Sequence, residues 1–197
     1  MRDITSNEAN FILLVFRHPE SSYNANNIAK LLGISPMGAL KIAKNLVKDR
    51  VFLSKILGKA IFYDLNLSND YVCDYIQFLL KRESVDAAPY VKRWVNEIIK
   101  AKSASAAILF GSVLKKQGEA KDIDVLFIID DGKFSKLKKE VEEINLVNDK
   151  KLHPIYQTEQ NFKENLKKQD KIISDSLNGI IVFGHDELIK LVKSIKQ

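Results

Sequence analysis

The sequence predicts an α+β chain built from two unlike parts. Three observations lead there. Helix-period apolar patterns with start and stop signals fill residues 8 to 48, and a β-hairpin pattern follows before residue 68. Short apolar strands alternate with helices from residue 103 onward. Between these parts, residues 69 to 102 read as a helical connector. The expected domains are therefore residues 1–68, a connector at 69–102, and an α/β unit at 103–197.

Each element has a local reason. Glu8 to Arg17 is a mostly buried helix stopped by Pro19. Asn24 to Leu32 forms a short second helix with Ile28, Leu31 and Leu32 on one face, and Gly33 ends it. Ser35 caps a third helix, Pro36 takes its first position, and the helix runs to about Lys48. Val51 to Leu53 and Ala60 to Leu65 are strands joined through Lys55-Ile56-Leu57-Gly58-Lys59. Asp70–Lys81 and Asp86–Lys102 are helices striped by Tyr71, Tyr75, Phe78 and Leu79, and by Tyr90, Trp94, Val95, Ile98 and Ile99. Arg82 to Val85 is a hinge between them. Ala106 to Phe110 is a strand, and Val125 to Ile129 is an unbroken apolar strand of the kind covered on both faces. A helix at Phe134–Leu146, a strand at Lys151–Gln157, a helix at Glu159–Lys168, a strand at Ile180–Phe183 and a last helix at Asp186–Ile195 complete the chain. Asp186 is expected to cap that last helix.

Composition narrows the function classes. With 46% hydrophobic and 28% charged residues, the chain can bury a core and is not of the disordered class. No apolar run reaches the roughly 20 residues that span a bilayer. The N-terminus lacks the basic-then-apolar layout of a signal peptide. A single cysteine, Cys73, rules out an intrachain disulfide and a cysteine-based zinc site, and its apolar neighbours suggest a core thiol. A cytoplasmic protein without a membrane partner is expected. The net charge of +6 is unevenly spread. Residues 24 to 61 hold seven Lys or Arg (Lys30, Lys41, Lys44, Lys48, Arg50, Lys55, Lys59) against one acid, Asp49. A local basic excess suits a polyanion, because Lys and Arg displace counterions from phosphates.

Asn27-Ile28-Ala29-Lys30-Leu31-Leu32-Gly33-Ile34-Ser35 resembles the helix-turn-helix of winged-helix DNA-binding proteins. Ala29 lets the two helices cross closely, Gly33 makes the turn and Ile34 fills the angle between them. The resemblance implies that the third helix enters the major groove of double-stranded DNA and that the hairpin flanks it along the backbone. The residues implied are Ser35, Met37, Gly38, Lys41, Lys44, Asn45 and Lys48 on the helix, with Lys55 and Lys59 on the hairpin. Lys41, Lys44 and Lys48 are three and four apart, so they share one helical face and suit phosphates. Met37, Gly38 and Asn45 are the better candidates for base edges. A homodimer reading two half-sites is also implied, with the Tyr71–Leu80 and Tyr90–Ile99 helices as the expected interface.

Leu109-Phe110-Gly111-Ser112 is followed by Asp122-Ile123-Asp124-Val125-Leu126. Over residues 101 to 190, the chain resembles minimal nucleotidyltransferases of the DNA polymerase β superfamily. The resemblance implies an α/β domain with a small mixed sheet, a nucleoside triphosphate and Mg2+ (or Mn2+). Gly111 and Ser112 would cradle phosphates, with Lys115 and Lys116 adding charge. Asp122 and Asp124 alternate along a strand, so their carboxylates project to one side, where they would hold metal as the catalytic pair.

The chain departs from the family in three ways. Its Ser112–Asp122 loop is one residue shorter. Gln117 and Lys121 stand where Arg and Ser are usual. The third carboxylate of active members has no acidic match on the Lys151–Gln157 strand, where His153 occupies the position as either a polar strand residue or a participant. Asp149 and Glu159 flank that strand as substitutes. Two functions follow. One is an enzyme that transfers a nucleoside monophosphate to a hydroxyl on a protein, nucleic acid or small molecule. The other is a DNA-binding transcriptional regulator whose second domain is catalytically inactive and serves nucleotide sensing or dimerisation.

Overall fold

The computed structural model describes residues 4–196. The chain divides into two compact units between Leu79 and Leu80, inside helix α4 (Asp70–Asp86).

The first unit runs α1 (Ser6–Arg17), β1 (Tyr23–Asn24), α2 (Ala25–Leu32), α3 (Pro36–Lys48), β2 (Phe52–Leu57) and β3 (Ala60–Leu65). Side-chain caps set the helix starts. Thr5 and Glu8 form a capping box on α1. At α2, Asn24 Oδ1 accepts from the Asn26 and Asn27 amides at 3.0 and 3.1 Å, and Asn27 Oδ1 accepts from the Asn24 amide at 2.8 Å. Gly33 ends α2 in the left-handed region at φ +65°. Ser35 Oγ accepts from the Gly38 amide at 3.0 Å to cap α3, with Pro36 in the first turn. Phe11, Ile12, Val15, Phe16, Ile28, Leu46 and Phe52 are buried, and Phe11 meets Phe52 edge-on at 4.5 Å.

The sheet of this unit has the order β1-β3-β2 and is antiparallel throughout. The hairpin is longer than the sequence suggests. Pairing continues through Ile56↔Ile61 and Leu57↔Ala60, which leaves only Gly58-Lys59 as the loop and puts Lys55 inside β2. After Phe52 every residue of β2 is exposed, so backbone pairing rather than an apolar alternation defines this strand. Strand β1 was not expected, because two residues are too few to show a period.

Helix α4 ends at Asp86, not at Lys81, and absorbs the expected hinge at Arg82–Val85. No Gly or Pro lies there to stop it. Its buried positions are Val72, Ile76, Leu79 and Leu80, whereas Phe78 is 56% and Tyr71 39% exposed. The buried stripe thus lies one position away from the aromatic one. Cys73 is half-buried rather than in the core, with Sγ bonding the Leu67 carbonyl at 3.5 Å.

The second unit contains α5 (Pro89–Ile98), β4 (Ala104–Phe110), α6 (Val113–Lys116), β5 (Ile123–Ile129), α7 (Phe134–Val147), β6 (Leu152–Thr158), α8 (Glu159–Lys167), α9 (Lys171–Ser176), β7 (Ile180–Phe183) and α10 (His185–Lys196). Its sheet has the order β6-β5-β4-β7. β4 pairs antiparallel with β5 and β7, while β5 and β6 are parallel, joined through α7. The sheet is therefore mixed. Leu109, Val125 and Phe127 share a core with Leu137, Val141 and Ile144 of α7. Val91, Trp94 and Ile98 of α5, a helix expected in the connector, belong to the same core.

Helix α9 was not foreseen. Asp170 starts it by accepting from the Ile172 and Ile173 amides at 3.0 and 3.1 Å. Helix α10 begins at His185, so Asp186 lies in its first turn instead of capping it, where its charge still suits the helix N-terminus.

Candidate functional site

The second unit brings its motif residues together at one end of the sheet. Gly111 follows the last residue of β4, and Asp124 is the second residue of β5, paired with Phe110 across the ladder. Gly111 sits at φ +81°. A Cβ there would collide with Asp124 Oδ2, so the missing side chain of one strand makes room for the carboxylate of the next. Ser112 comes next and opens the single turn of α6, where its carbonyl accepts from the Lys115 and Lys116 amides at 3.1 and 2.8 Å. Its hydroxyl makes no capping bond within that turn. Lys115 and Lys116 are exposed in the last turn of α6. Asp122 is exposed and immediately precedes β5, not within the strand as expected. Asp122 stands two residues before Asp124, in the bend that leads into β5.

His153 is the next member. β5 and β6 pair in parallel with Asp124 opposite His153, and His153 Nδ1 lies 3.1 Å from Asp124 Oδ1. The Asp124 side chain is 25% exposed and that of His153 68%, so both are open to solvent. Asp124 Oδ2 thus fills the space left beside Gly111, and Oδ1 faces His153.

Neither acid that flanks β6 joins them. Asp149 pairs with Arg93 of α5 at 2.9 Å. Arg93 also donates to Asn148 Oδ1 at 3.3 Å, and Asn148 donates to Glu97 Oε2 at 2.9 Å. Hydrogen bonds from Lys100 and then Asn148 hold Glu97 below the usual carboxylate range. Glu159 follows the far end of β6, six residues beyond His153, which at about 3.3 Å per residue places it roughly 20 Å away.

The loop from Ser112 to Asp122 has a support that sequence reasoning missed. The Lys150 ammonium donates to the carbonyls of Gly118 and Ala120, and lies 5.9 Å from the centre of the Tyr90 ring. Gln117 takes a positive φ of +47° at the head of this loop. No local pattern links Lys150 to a loop some 30 residues earlier in the chain.

Among the described residues, no group of three or more His, Cys, Asp or Glu side chains is arranged to hold a metal ion. The two aspartates of the motif nonetheless fit a divalent cation in kind. Asp122 and Asp124 offer hard carboxylate oxygens, and such ions are commonly held by one or two carboxylates together with substrate phosphates.

The first unit carries the basic face. Ser35, Met37, Lys41, Lys44 and Lys48 are exposed on or beside α3, with Met37 at 73%, while Gly38 and Asn45 are half-buried. Lys55 and Lys59 are exposed on the hairpin. Ser35 also spends one acceptor position on its cap.

Residues 92–182 match the nucleotidyltransferase domain family, a span that contains Gly111, Ser112, Asp122, Asp124 and His153. No curated protein matches the chain. Among solved structures, a cysteine-to-serine mutant of Lactococcus lactis ZitR is similar over 52% of this chain and 76% of its own, at 15% identity and a TM-score of 0.30. Among the described residues no helix is long and apolar enough to cross a membrane.

Proposed function

We propose that the second unit binds a nucleoside triphosphate together with a divalent cation and transfers the nucleoside monophosphate to a hydroxyl acceptor, on a chain whose first unit binds double-stranded DNA. The observation that carries the reading is the placement of Gly111 against Asp124, within the span that matches the nucleotidyltransferase domain family. A positive-φ glycine lets the backbone approach a phosphate closely, beside a carboxylate pair able to hold the cation.

In this reading, Ser112 and the exposed Lys115 and Lys116 bind triphosphate oxygens. The acceptor oxygen attacks the α-phosphorus, a new P–O bond forms, the α–β bridging P–O bond breaks, and pyrophosphate leaves while the hydroxyl proton passes to solvent. Asp122 and Asp124 would hold Mg2+ or Mn2+, which when bound neutralises charge on the transferring group. Lys150 keeps the Gly118–Ala120 loop in place beside them.

DNA binding by the first unit is supported by the order α1-β1-α2-α3-β2-β3, which fits a winged helix, and by the exposed Lys41, Lys44 and Lys48 on α3. A homodimer and a protein acceptor remain part of this proposal.

One observation favours a second reading. His153, not a carboxylate, faces Asp124, and this suits a DNA-binding regulator that senses a nucleotide without turnover. Calorimetric titration of ATP, GTP, CTP and UTP with Mg2+ or Mn2+ into wild type and Asp122→Asn/Asp124→Asn tests the nucleotide site. Metal-dependent binding that the double variant loses supports it, and the absence of any binding overturns it. Transfer of label from an α-labelled nucleotide then separates the enzyme from the sensor.

A further inference from the structure

We infer that the cation site is built for a first-row transition metal, with Mn2+ as its probe, rather than for Mg2+, and that His153 is the residue that sets this preference. The inference rests on the reading of Asp122 and Asp124 as a cation-binding pair.

His153 Nδ1 and Asp124 Oδ1 stand 3.1 Å apart. Two neighbouring ligands of an octahedral ion with bonds of about 2.1 Å are separated by about 3.0 Å, so the two donors already lie at a coordination edge. The cation would take the place of the hydrogen they share. The fold makes the two side chains neighbours, because Asp124 and His153 are register partners on the parallel β5–β6 ladder. The other carboxylate oxygen fills the space that a side chain on Gly111 would take. His153 is 68% exposed, which leaves the remaining positions around an ion open to water and phosphate oxygens.

Donor chemistry then decides the metal. Mg2+ demands oxygen ligands and gains most from anionic ones. Imidazole nitrogen is a better ligand for the first-row transition ions, whose affinities for nitrogen sites rise from Mn2+ onward. Neither acid that flanks β6 makes up the difference. Asp149 is occupied by Arg93 at 2.9 Å, and Glu159 lies beyond the far end of β6. An imidazole on Asp124 thus weakens Mg2+ binding by removing an anion, yet supplies a nitrogen that transition ions use.

The test is Mn2+ binding to the full chain, read from the electron paramagnetic resonance signal of free Mn2+, with Mg2+ as competitor and with ATP present or absent. The proteins are wild type, His153→Ala, His153→Asp and Asp122→Asn/Asp124→Asn. His153 is exposed on an edge strand, and circular dichroism checks that each variant folds. The expected result is wild type that prefers Mn2+ over Mg2+ at least tenfold, a double aspartate variant that loses Mn2+, and His153→Asp with the preference reduced at least fivefold through tighter Mg2+ binding. Aspartate-dependent Mn2+ binding with a metal ratio unchanged in both His153 variants overturns this inference and leaves the aspartate site standing. Mn2+ binding that does not need the aspartates, or none at all, overturns the site itself and the inference with it.

Discussion

The Asp124 carboxylate occupies the space that a side chain on Gly111 would fill, and this one relationship ties the two halves of the motif together. Gly111→Ala should therefore act twice. An Ala at φ +81° carries a strain of about 1–2 kcal/mol. Its methyl must also push Asp124 away from its place beside His153. We expect a folded protein with a lowered unfolding midpoint and nucleotide affinity reduced by about tenfold or more, equivalent to roughly 1.4 kcal/mol. Gly111→Ala with wild-type nucleotide affinity would show that close approach at Gly111 is not what the site uses.

Asp149 lies near β6 in sequence but is turned toward Arg93. Its side chain is 61% exposed and that of Arg93 47%. Exposed pairs of this kind frequently contribute nothing measurable to stability. Asp149→Asn is accordingly expected to leave both the unfolding midpoint and metal-dependent nucleotide binding unchanged. A marked loss of binding would place Asp149 in the site in place of His153.

What could be read from the sequence depended on whether the cause was local. Ser35, Pro36 and Gly33 act through bonds within a turn of themselves, and the helices they bound were predicted closely. Gly111, Asp122 and Asp124 were legible as a motif because their spacing reports one strand, one turn and the next strand. The Asp124–His153 contact was half-legible: the strand position of His153 could be proposed, but its pairing partner depends on the β5–β6 register. The Arg93–Asp149 and Lys150–Gly118 contacts join segments dozens of residues apart, and no period encodes them. The full hairpin escaped notice because its outer residues are exposed on both faces and leave no apolar signature. On α4, Tyr71, Tyr75 and Phe78 outweighed Val72 and Ile76 by size, although the smaller side chains are the buried ones.

The basic face of α3 makes a prediction that separates phosphate contacts from base contacts. Lys41, Lys44 and Lys48 are exposed and lie on successive turns. Changing Lys44 and Lys48 to Ala should weaken binding about equally for specific and random duplexes. It should also lower the slope of log affinity against log salt by about 0.9 for each phosphate no longer neutralised. Asn45→Ala should instead narrow the gap between specific and random duplexes at constant slope. Equal salt slopes for wild type and the Lys variant, in fluorescence anisotropy from low to moderate salt, would remove α3 from the phosphate contacts.

His185 predicts how the second unit responds to acid. It is 8% exposed at the first position of α10, and Nε2 has no protein partner. Burial, then the charge of Lys81, push its pKa below the ordinary value of 6.5, against opposing effects of Asp186 and a backbone hydrogen bond with Ile181. The positive end of the α10 dipole also disfavours an imidazolium there. Because the folded pKa lies below the unfolded one, the folded state prefers the neutral ring. Its contribution is complete above the unfolded pKa and is lost as pH falls through the folded value. The only tryptophan, Trp94, is fully buried in this unit, so its fluorescence reports the transition. Urea unfolding followed at Trp94 should give a constant midpoint from about pH 8 to pH 7 and a falling one below about pH 6.5. His185→Gln, which keeps a neutral polar side chain at every pH, should flatten that fall. An equally steep decline in His185→Gln would assign the acid sensitivity to the carboxylates of the unit and not to His185.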